Sequence, residues 1–342
     1  MEWYMMYMPI AGIEIFWPGL VLIGFAVGCI GGFFGMGGAW MVTPGLNILG
    51  FPMAFAIGTD IAHIAGKSMI STFRHSKFGN VDYKLGVIMV IGTVIGIECG
   101  AQVVMWLERI GKVGPVVRWV YIGLLALIAL MVFYDYYKAT QKKKAGEVGE
   151  HGAEGITWYK TLHRINIPPM VHFKVAGITC SAWLPIGVSF LTGVLAGFLG
   201  IGGGLIRMPA LVYLIGCPTH IAVGTDLFEV MISGLYGTFT YGAKGRIEIW
   251  AVFVMLAGAA IGAQIGTVAT KYAKGYGIRI AFGLAVLACM ISIILKQFKI
   301  DMAATVLILG AVGSICVYIC MIMFRGAAKE LRDKKAGTAN AA

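Results

Sequence analysis

Long apolar stretches, separated by short polar segments, dominate the chain. The continuous stretches predict helices over residues 53–76, 83–107, 115–137, 219–242, 248–271, 276–296 and 302–324. Each stretch exceeds the roughly 20 residues that a helix needs to cross a bilayer. The pattern therefore predicts an all-α polytopic integral membrane protein.

Glycine clusters interrupt two further apolar stretches. Residues 17–50 contain GCIGGFFGMGGAWMVTPGL, and residues 182–216 contain GVLAGFLGIGGGLIRMPAL. Dense glycine destabilises a helix, and the segments after the clusters, 39–50 and 204–216, are too short for an upright span. We expect two glycine-broken hairpins that end within the membrane. Each region alternatively forms a pair of spans with a short second arm, or its glycines serve only tight helix packing.

The two halves of the chain repeat each other. An offset of 165 residues matches the two glycine clusters, and an offset of 166 matches the segments that follow them. The matched residues are Gly35, Gly37, Gly38 and Pro44 with Gly200, Gly202, Gly203 and Pro209, then Gly58, Thr59 and Asp60 with Gly224, Thr225 and Asp226. Chance does not align so many glycines and prolines. The chain is therefore predicted to contain transmembrane repeats over residues 1–137 and 175–300.

Polar segments complete the predicted domain organisation. A linker loop over residues 138–174 separates the repeats, and an extra helix over 301–324 precedes a tail over 325–342. Loop and tail are rich in Lys and Arg, which places both in the cytoplasm. Counting spans from there puts Pro52 outside and Pro218 inside, with the N-terminus outside. The two repeats are therefore predicted to be inverted.

Composition narrows the function classes. The chain is 59% hydrophobic and 13% charged, so the expected surroundings are a lipid bilayer. The net charge of +11 indicates topology determinants rather than nucleic-acid binding, because no basic face interleaved with aromatic residues is present. Seven cysteines include no CxxC pair, so we expect free thiols, no metal site and no resident cofactor. An intramembrane enzyme is disfavoured, and the sequence does not indicate an oligomeric state.

Inverted repeats with broken helices are typical of secondary transporters, which bind substrate where the repeats meet. A break exposes backbone N–H groups at the start of the next helix, and these groups attract anions. We therefore predict that a small anion binds at the two breaks. The predicted substrate-binding residues of the breaks are Gly35, Gly37, Gly38, Gly200, Gly202, Gly203 and Gly204.

Ionisable residues inside the apolar spans are candidates for ion coupling. A charge within the membrane is costly, so its presence there indicates a function. The predicted coupling residues are Asp60, His63, Lys67, Glu98, Asp226 and Glu229. Protons and sodium both remain open as the coupling ion. Asp60 and Lys67 alternatively form a structural ion pair. Arg207 either contacts an anion or extends to the cytoplasmic interface.

The duplicated glycine motif resembles the sulfite exporter TauE/SafE family of membrane permeases. The pattern is GFLGIGGGLIRMPAL at 197–211 and GFFGMGGAWMVTPGL at 32–46, followed by AIGT at 56–59 and AVGT at 222–225. The resemblance covers nearly the whole chain, although Ala39 replaces the third glycine of the first cluster.

This resemblance implies a secondary active transporter of a small sulfur-containing anion, such as sulfite or an organosulfonate. By position, it implies that Thr59 and Thr225 line the substrate site together with the glycine breaks. It also implies a multi-pass protein of the bacterial inner membrane. An anion channel or a non-catalytic membrane subunit is the alternative function.

Overall fold

The computed structural model describes residues 3–34, 39–144, 168–272 and 277–339. Its first half begins with a β-hairpin and continues with helices. The elements are β1 (Met5–Met8), β2 (Ile13–Phe16), α1 (Trp17–Phe34), a short 3-10 helix (Ala39–Met41), α2 (Val42–Ile48), α3 (Met53–Lys77), α4 (Tyr83–Arg109) and α5 (Val113–Lys144).

The second half repeats this order and adds one helix. Its elements are β3 (Met170–Phe173), β4 (Ile178–Ser181), α6 (Trp183–Leu199), α7 (Gly204–Tyr213), α8 (Thr219–Ala243), α9 (Ile249–Tyr272), α10 (Gly277–Gln297) and α11 (Asp301–Ala339). Both halves thus run from a hairpin through an apolar helix and a short helix to three long helices.

The predicted continuous spans are confirmed as helices. The prediction over 53–76 corresponds to α3, and the prediction over 219–242 corresponds to α8, each within one residue. Two helices continue past the predicted spans, because α5 reaches Lys144 and α11 reaches Ala339. The first residues of the predicted linker and much of the predicted tail are therefore helical, as their Ala, Lys and Glu content permits.

Length and composition support a multi-pass membrane protein. In the part of the chain that the structure describes, four helices are long and apolar enough to cross a bilayer: Tyr83–Arg109, Val113–Tyr134, Ile249–Ala269 and Asp301–Gly326. Helices α3 and α8 have 25 residues each, which is also sufficient length. They carry Asp60, His63 and Lys67 in α3 and Asp226 and Glu229 in α8, and these residues lower the mean hydropathy of the two helices. The predicted fold class, a helical polytopic membrane protein, is confirmed.

The two β-hairpins were not predicted. β1 pairs antiparallel with β2, and β3 pairs antiparallel with β4. The turns contain Gly12 at φ 66° and Gly177 at φ 67°, a region that favours glycine. These glycines are 165 residues apart, so the repeat extends into the hairpins, and β3 lies within the segment predicted as linker.

Helices of the first half pack mainly against helices of the second half. Helix α1 packs along α9, α6 packs along α4, and α3 packs against α8. A Cβ at Gly28 would lie 2.3 Å from the Ala259 carbonyl oxygen, and one at Gly193 would lie 2.7 Å from the Thr93 carbonyl oxygen. These are the same contact made twice, with the halves exchanged. Such exchange is what a two-fold relation between the repeats produces; their opposite orientation in the membrane stays a prediction.

Candidate functional site

The second glycine cluster breaks the helix as predicted. Helix α6 ends at Leu199 and α7 begins at Gly204. Between them Gly200, Gly202 and Gly203 have φ angles of 83°, 68° and 76°, which residues with a Cβ rarely adopt.

In the first half, the described part of α1 extends to Phe34, and the description continues with the 3-10 helix at Ala39. The predicted site residues Gly35, Gly37 and Gly38 lie outside the described residues.

Two buried tyrosines satisfy the carbonyl groups that end α6. The Tyr121 hydroxyl donates to the Leu199 carbonyl oxygen at 2.6 Å, and the Tyr241 hydroxyl donates to the Gly197 carbonyl oxygen at 2.6 Å. The last carbonyls of a helix have no partner within the helix, and no water replaces it inside an apolar bundle. Helices α5 and α8 therefore stabilise the break. Sequence reasoning missed both tyrosines, whose signal was a hydroxyl within an apolar span.

Arg207 lies in the first turn of α7, directly after the second break. Its side chain is fully buried. Its Nε lies 2.7 Å from Asp226 Oδ1, and its Nη1 donates to Glu229 Oε2. Nη2 donates to the Gly202 carbonyl oxygen at 2.6 Å, and Nη1 also donates to Thr93 Oγ1 at 3.2 Å. The alternative that Arg207 extends to the membrane interface is therefore wrong, because two buried carboxylates enclose it.

Glycines at the break allow these charges to approach the backbone. A Cβ at Gly203 would lie 2.7 Å from Arg207 Nη2, and a Cβ at Gly204 would lie 2.8 Å from Asp226 Oδ2. The Asp226 carboxylate therefore lies against the N-terminus of α7, where the helix dipole favours negative charge. This is the helix end that was predicted to attract an anion.

Asp60 has the matching position in the first half. Its Oδ2 accepts hydrogen bonds from the Thr43 backbone N–H at 3.0 Å and from the Thr43 hydroxyl at 2.8 Å. Thr43 is the second residue of α2, so both GTD aspartates lie at the N-terminus of a short helix. His63 Nδ1 lies 3.9 Å from Asp60 Oδ1, and Lys67 lies one turn further along α3; both side chains are buried.

The second break contacts the first half directly. A Cβ at Gly200 would lie 2.5 Å from Thr43 Oγ1, and a Cβ at Gly202 would lie 3.0 Å from Ile64 Cγ2. The break thus lies beside the start of α2 and against α3. The structure therefore brings together, between the two halves, the second glycine cluster and both GTD aspartates.

Thr59 and Thr225 contact the backbone of the opposite half. Thr59 Oγ1 accepts from the Glu248 N–H at 3.0 Å, and Thr225 Oγ1 accepts from the Asp82 N–H at 3.0 Å. Both threonines are fully buried. Each hydroxyl therefore holds the start of a long helix of the other half; direct contact with substrate stays a prediction.

The acidic residues at those helix starts bind the hairpin turns. Asp82 Oδ2 accepts from the N–H groups of Val175 and Ala176, each at 3.1 Å. Glu248 Oε2 accepts from the N–H groups of Ile10 and Ala11 at 2.8 and 2.9 Å. These contacts again occur twice with the halves exchanged. They were not predicted, because neither hairpin was.

Glu98 lies apart from the buried charges. Its side chain is 37% exposed and accepts from Gln102 at 2.6 Å and from Thr240 at 3.2 Å. Lys244 Nζ lies 3.5 Å from Glu98 Oε1. The structure therefore does not bring Glu98 together with Asp226 and Glu229.

A small pocket opens beside α2. Its lining residues are Pro44, Asn47, Ile48, Met53, Arg118, Tyr121, Ile293 and Lys296. Arg118 Nη1 donates to Asn47 Oδ1 at 3.1 Å, which fixes one basic side chain at the pocket. The other basic lining residue, Lys296, pairs with Asp301 at 3.0 Å. Tyr121 links this pocket to the break, since its hydroxyl binds Leu199.

Comparisons with known proteins agree on a transporter family. The family model described as sulfite exporter TauE/SafE matches residues 20–293. The probable membrane transporter protein YunE of Bacillus subtilis is 27% identical over 72% of this chain and 86% of its own length. A probable membrane transporter protein of Xylella fastidiosa is 25% identical over 81% of this chain and 93% of its own length. No solved structure gives a significant match.

Proposed function

Since the chain belongs to the sulfite exporter TauE/SafE family, we propose that it is a secondary active transporter of a small anion. The family consists of membrane transporters, and the relatives are named as such. We propose sulfite or an organosulfonate as the substrate class. We also propose the bacterial inner membrane as the location, with the N-terminus outside and the C-terminus in the cytoplasm.

One observation carries this proposal: a buried arginine lies at a broken helix between the two halves. Arg207 is fully buried and contacts the Gly202 carbonyl within the break. A charged side chain within membrane-spanning structure is costly, so its presence indicates a function. The planar guanidinium matches the oxygens of an oxyanion with two parallel hydrogen bonds. The N-terminus of α7 adds further N–H donors beside it.

The packing of the halves supports transport by alternating access. Helix α1 of the first half packs along α9 of the second, α4 of the first half packs along α6 of the second, and α3 packs against α8. A movement of one repeat against the other would expose the junction to each side in turn, as inverted repeats allow. The inverted orientation itself rests on the Lys and Arg distribution.

The proposed substrate contacts are the glycine breaks and Arg207. Thr59 and Thr225 contribute by positioning, because their hydroxyl oxygens accept from backbone groups of the opposite half. The proposed coupling residues are Asp60, His63, Lys67, Asp226 and Glu229, with a proton or sodium gradient as the driving force. Glu98 is left outside this set, because its contacts are with Gln102, Thr240 and Lys244.

Flux measurements in proteoliposomes test the proposal. The intact protein should accumulate sulfite or methanesulfonate when a proton or sodium gradient is imposed. Arg207→Gln should lower this flux about a hundredfold, because the bound anion loses its charged partner. Truncating one partner of a buried charge pair costs about 2–5 kcal/mol of binding free energy. Arg246→Gln is the matched control, since Arg246 pairs with Glu108 at a partly exposed position.

Three results would count against secondary transport. An intact protein without flux, or wild-type flux in Arg207→Gln, contradicts the proposed site. Flux that follows only the anion's own electrochemical gradient indicates a channel. Flux that appears only with an added partner protein indicates a membrane subunit.

A further inference from the structure

We propose that the transported anion competes with Asp226 and Glu229 for the Arg207 guanidinium, so that a monovalent anion binds together with one proton. This inference rests on the proposed function and deepens it, because it names the coupling ion and the group that takes it up.

Each nitrogen of the guanidinium lies close to an acceptor among the described residues, and of these contacts the one at Nε lacks hydrogen-bond geometry. Nε faces Asp226 Oδ1 at 2.7 Å, and Nη1 donates to Glu229 Oε2. Nη2 donates to the Gly202 carbonyl oxygen at 2.6 Å. An oxyanion binds arginine by two parallel N–H bonds along one edge of the fork. An anion can therefore reach Arg207 only by displacing a carboxylate.

Charge balance links that displacement to a proton. With both carboxylates ionised, the cluster of Arg207, Asp226 and Glu229 carries one positive and two negative charges. A monovalent anion would add a third negative charge in a low-dielectric region, where an uncompensated charge is very costly. A proton from water that bonds to the displaced carboxylate oxygen restores the original net charge. No electron is transferred, and the proton leaves when the carboxylate returns to Arg207.

Glu229 is the carboxylate that we expect to take the proton. It is fully buried, and its Oε1 has no hydrogen-bond partner among the described residues. An ionised oxygen in that condition carries the full cost of lost hydration, which protonation reduces. Asp226 Oδ1 also lacks a hydrogen-bond partner among the described residues, but the Asp226 side chain is 10% exposed and its Oδ2 lies beside Gly204 at the N-terminus of α7, so its charged form is less costly.

The surrounding charges favour a proton over sodium. A sodium ion between Asp226 and Glu229 would lie beside the Arg207 guanidinium, and like charges repel strongly in a buried site. Helix α3, which packs against α8, contributes Asp60, His63 and Lys67 to the region. Glu98 of helix α4 lies apart from this region and pairs with Lys244, which follows α8.

Binding to the intact protein in lipid nanodiscs tests the inference. Titration calorimetry with methanesulfonate, repeated in buffers of different protonation enthalpy, counts the protons taken up per bound anion. Methanesulfonate does not titrate near neutral pH, so every such proton belongs to the protein. We expect one proton per anion, with a Kd that rises about tenfold per pH unit in the alkaline range.

Glu229→Gln supplies a result that misfolding cannot mimic. With one competing charge removed, methanesulfonate should bind without proton uptake and, at alkaline pH, at least about tenfold more tightly than to the wild type. Glu108→Gln is the matched control, because Glu108 is also a helical carboxylate paired with an arginine, Arg246. This control should retain the proton uptake of the wild type.

Each contrary result has a definite meaning. Wild-type binding without proton uptake, binding that requires sodium, or proton uptake that persists in Glu229→Gln overturns the competition. These results leave anion flux intact, so the proposed function survives them. Absence of both methanesulfonate binding and anion flux overturns the competition and the proposed function together.

Discussion

The two halves share a backbone frame but differ in their buried charges. Asp60 and Asp226 are 166 residues apart and lie at the N-termini of α2 and α7. Asp60 is held by the neutral Thr43, whereas Asp226 is held by the cationic Arg207. The first-half position that matches Arg207 is Val42.

The ionisable residue one turn after each aspartate also differs between α3 and α8. Where α8 carries Glu229, α3 carries His63, and Glu229 binds Arg207 while His63 lies 3.9 Å from Asp60. The two halves thus share a frame, while one half alone provides the guanidinium. In the proposed mechanism, the shared frame would supply the motion and the few diverged side chains would supply the chemistry.

The largest expected effect comes from removing the cation of the second half. Arg207→Met leaves Asp226 and Glu229 buried without a partner, and breaking a buried ion pair in this way costs about 3–5 kcal/mol. We expect the free energy of unfolding in detergent to fall by about that amount. Arg246→Met, which breaks a partly exposed ion pair, should cost under about 1 kcal/mol.

A rescue variant separates the electrostatic cause from lost packing. Adding Asp226→Asn and Glu229→Gln to Arg207→Met removes the uncompensated charges and should restore most of the stability. Anion flux should stay absent, since the guanidinium is missing. Equal stability of Arg207→Met and the wild type would contradict the arrangement of charges described above.

The next largest loss of stability should be equal in the two halves. A Cβ at Gly58 would lie 2.2 Å from the Arg246 carbonyl oxygen, and one at Gly224 would lie 2.1 Å from the Asn80 carbonyl oxygen. Because backbone atoms must shift, Gly58→Ala and Gly224→Ala should each cost about 1–3 kcal/mol. Chemical unfolding measures both.

A helical glycine with open surroundings is the control for this pair. Gly187 has no atom within 4 Å of its added Cβ, so Gly187→Ala should stabilise the protein by about 0.5–1 kcal/mol. Clearly unequal losses in Gly58→Ala and Gly224→Ala would argue against a shared backbone frame.

A smaller loss of stability should come from a contact that is present in the first half only. Thr43→Val removes the hydroxyl that donates to Asp60 Oδ2 at 2.8 Å and leaves the backbone N–H donor in place. We expect a loss of about 1–2 kcal/mol in the free energy of unfolding. Thr238→Val is the control, because the Thr238 hydroxyl donates only to the Gly234 carbonyl of its own helix. A loss no larger than that of the control would contradict the role of Thr43.

The helices and the second break could be predicted, because they depend on local patterns. The apolar stretch at 219–242 determined α8 nearly to the residue. The cluster at Gly200, Gly202 and Gly203 determined the break, since each has a positive φ angle. The hairpins were missed, because four-residue strands within aromatic and polar sequence give no clear period.

The partners of the buried charges could not be predicted, because they depend on tertiary packing. Arg207 and Asp226 are 19 residues apart and meet only because α7 folds back across the start of α8. Tyr121 reaches the Leu199 carbonyl from another helix at a separation of 78 residues. A sequence indicates which residues are costly to bury, but not which ones meet.

The smallest effects test whether the threonines of the two halves are equivalent. Thr59 Oγ1 and Thr225 Oγ1 each accept one backbone N–H of the opposite half at 3.0 Å, from Glu248 and Asp82 respectively. Thr59→Val and Thr225→Val leave that N–H without its acceptor, so each should cost about 1 kcal/mol, measured by chemical unfolding. The serine variants Thr59→Ser and Thr225→Ser keep the hydroxyl and should lose less.

Anion affinity then distinguishes positioning from direct binding. If the hydroxyls act only on the backbone, both valine variants leave the methanesulfonate Kd unchanged while stability falls equally. A weaker Kd in the valine variants, recovered in the serine variants, would show that the threonines contact the anion themselves. A weaker Kd in Thr225→Val alone would extend the functional asymmetry of the halves from the charged residues to the threonines, because Arg207 lies in the same half as Thr225.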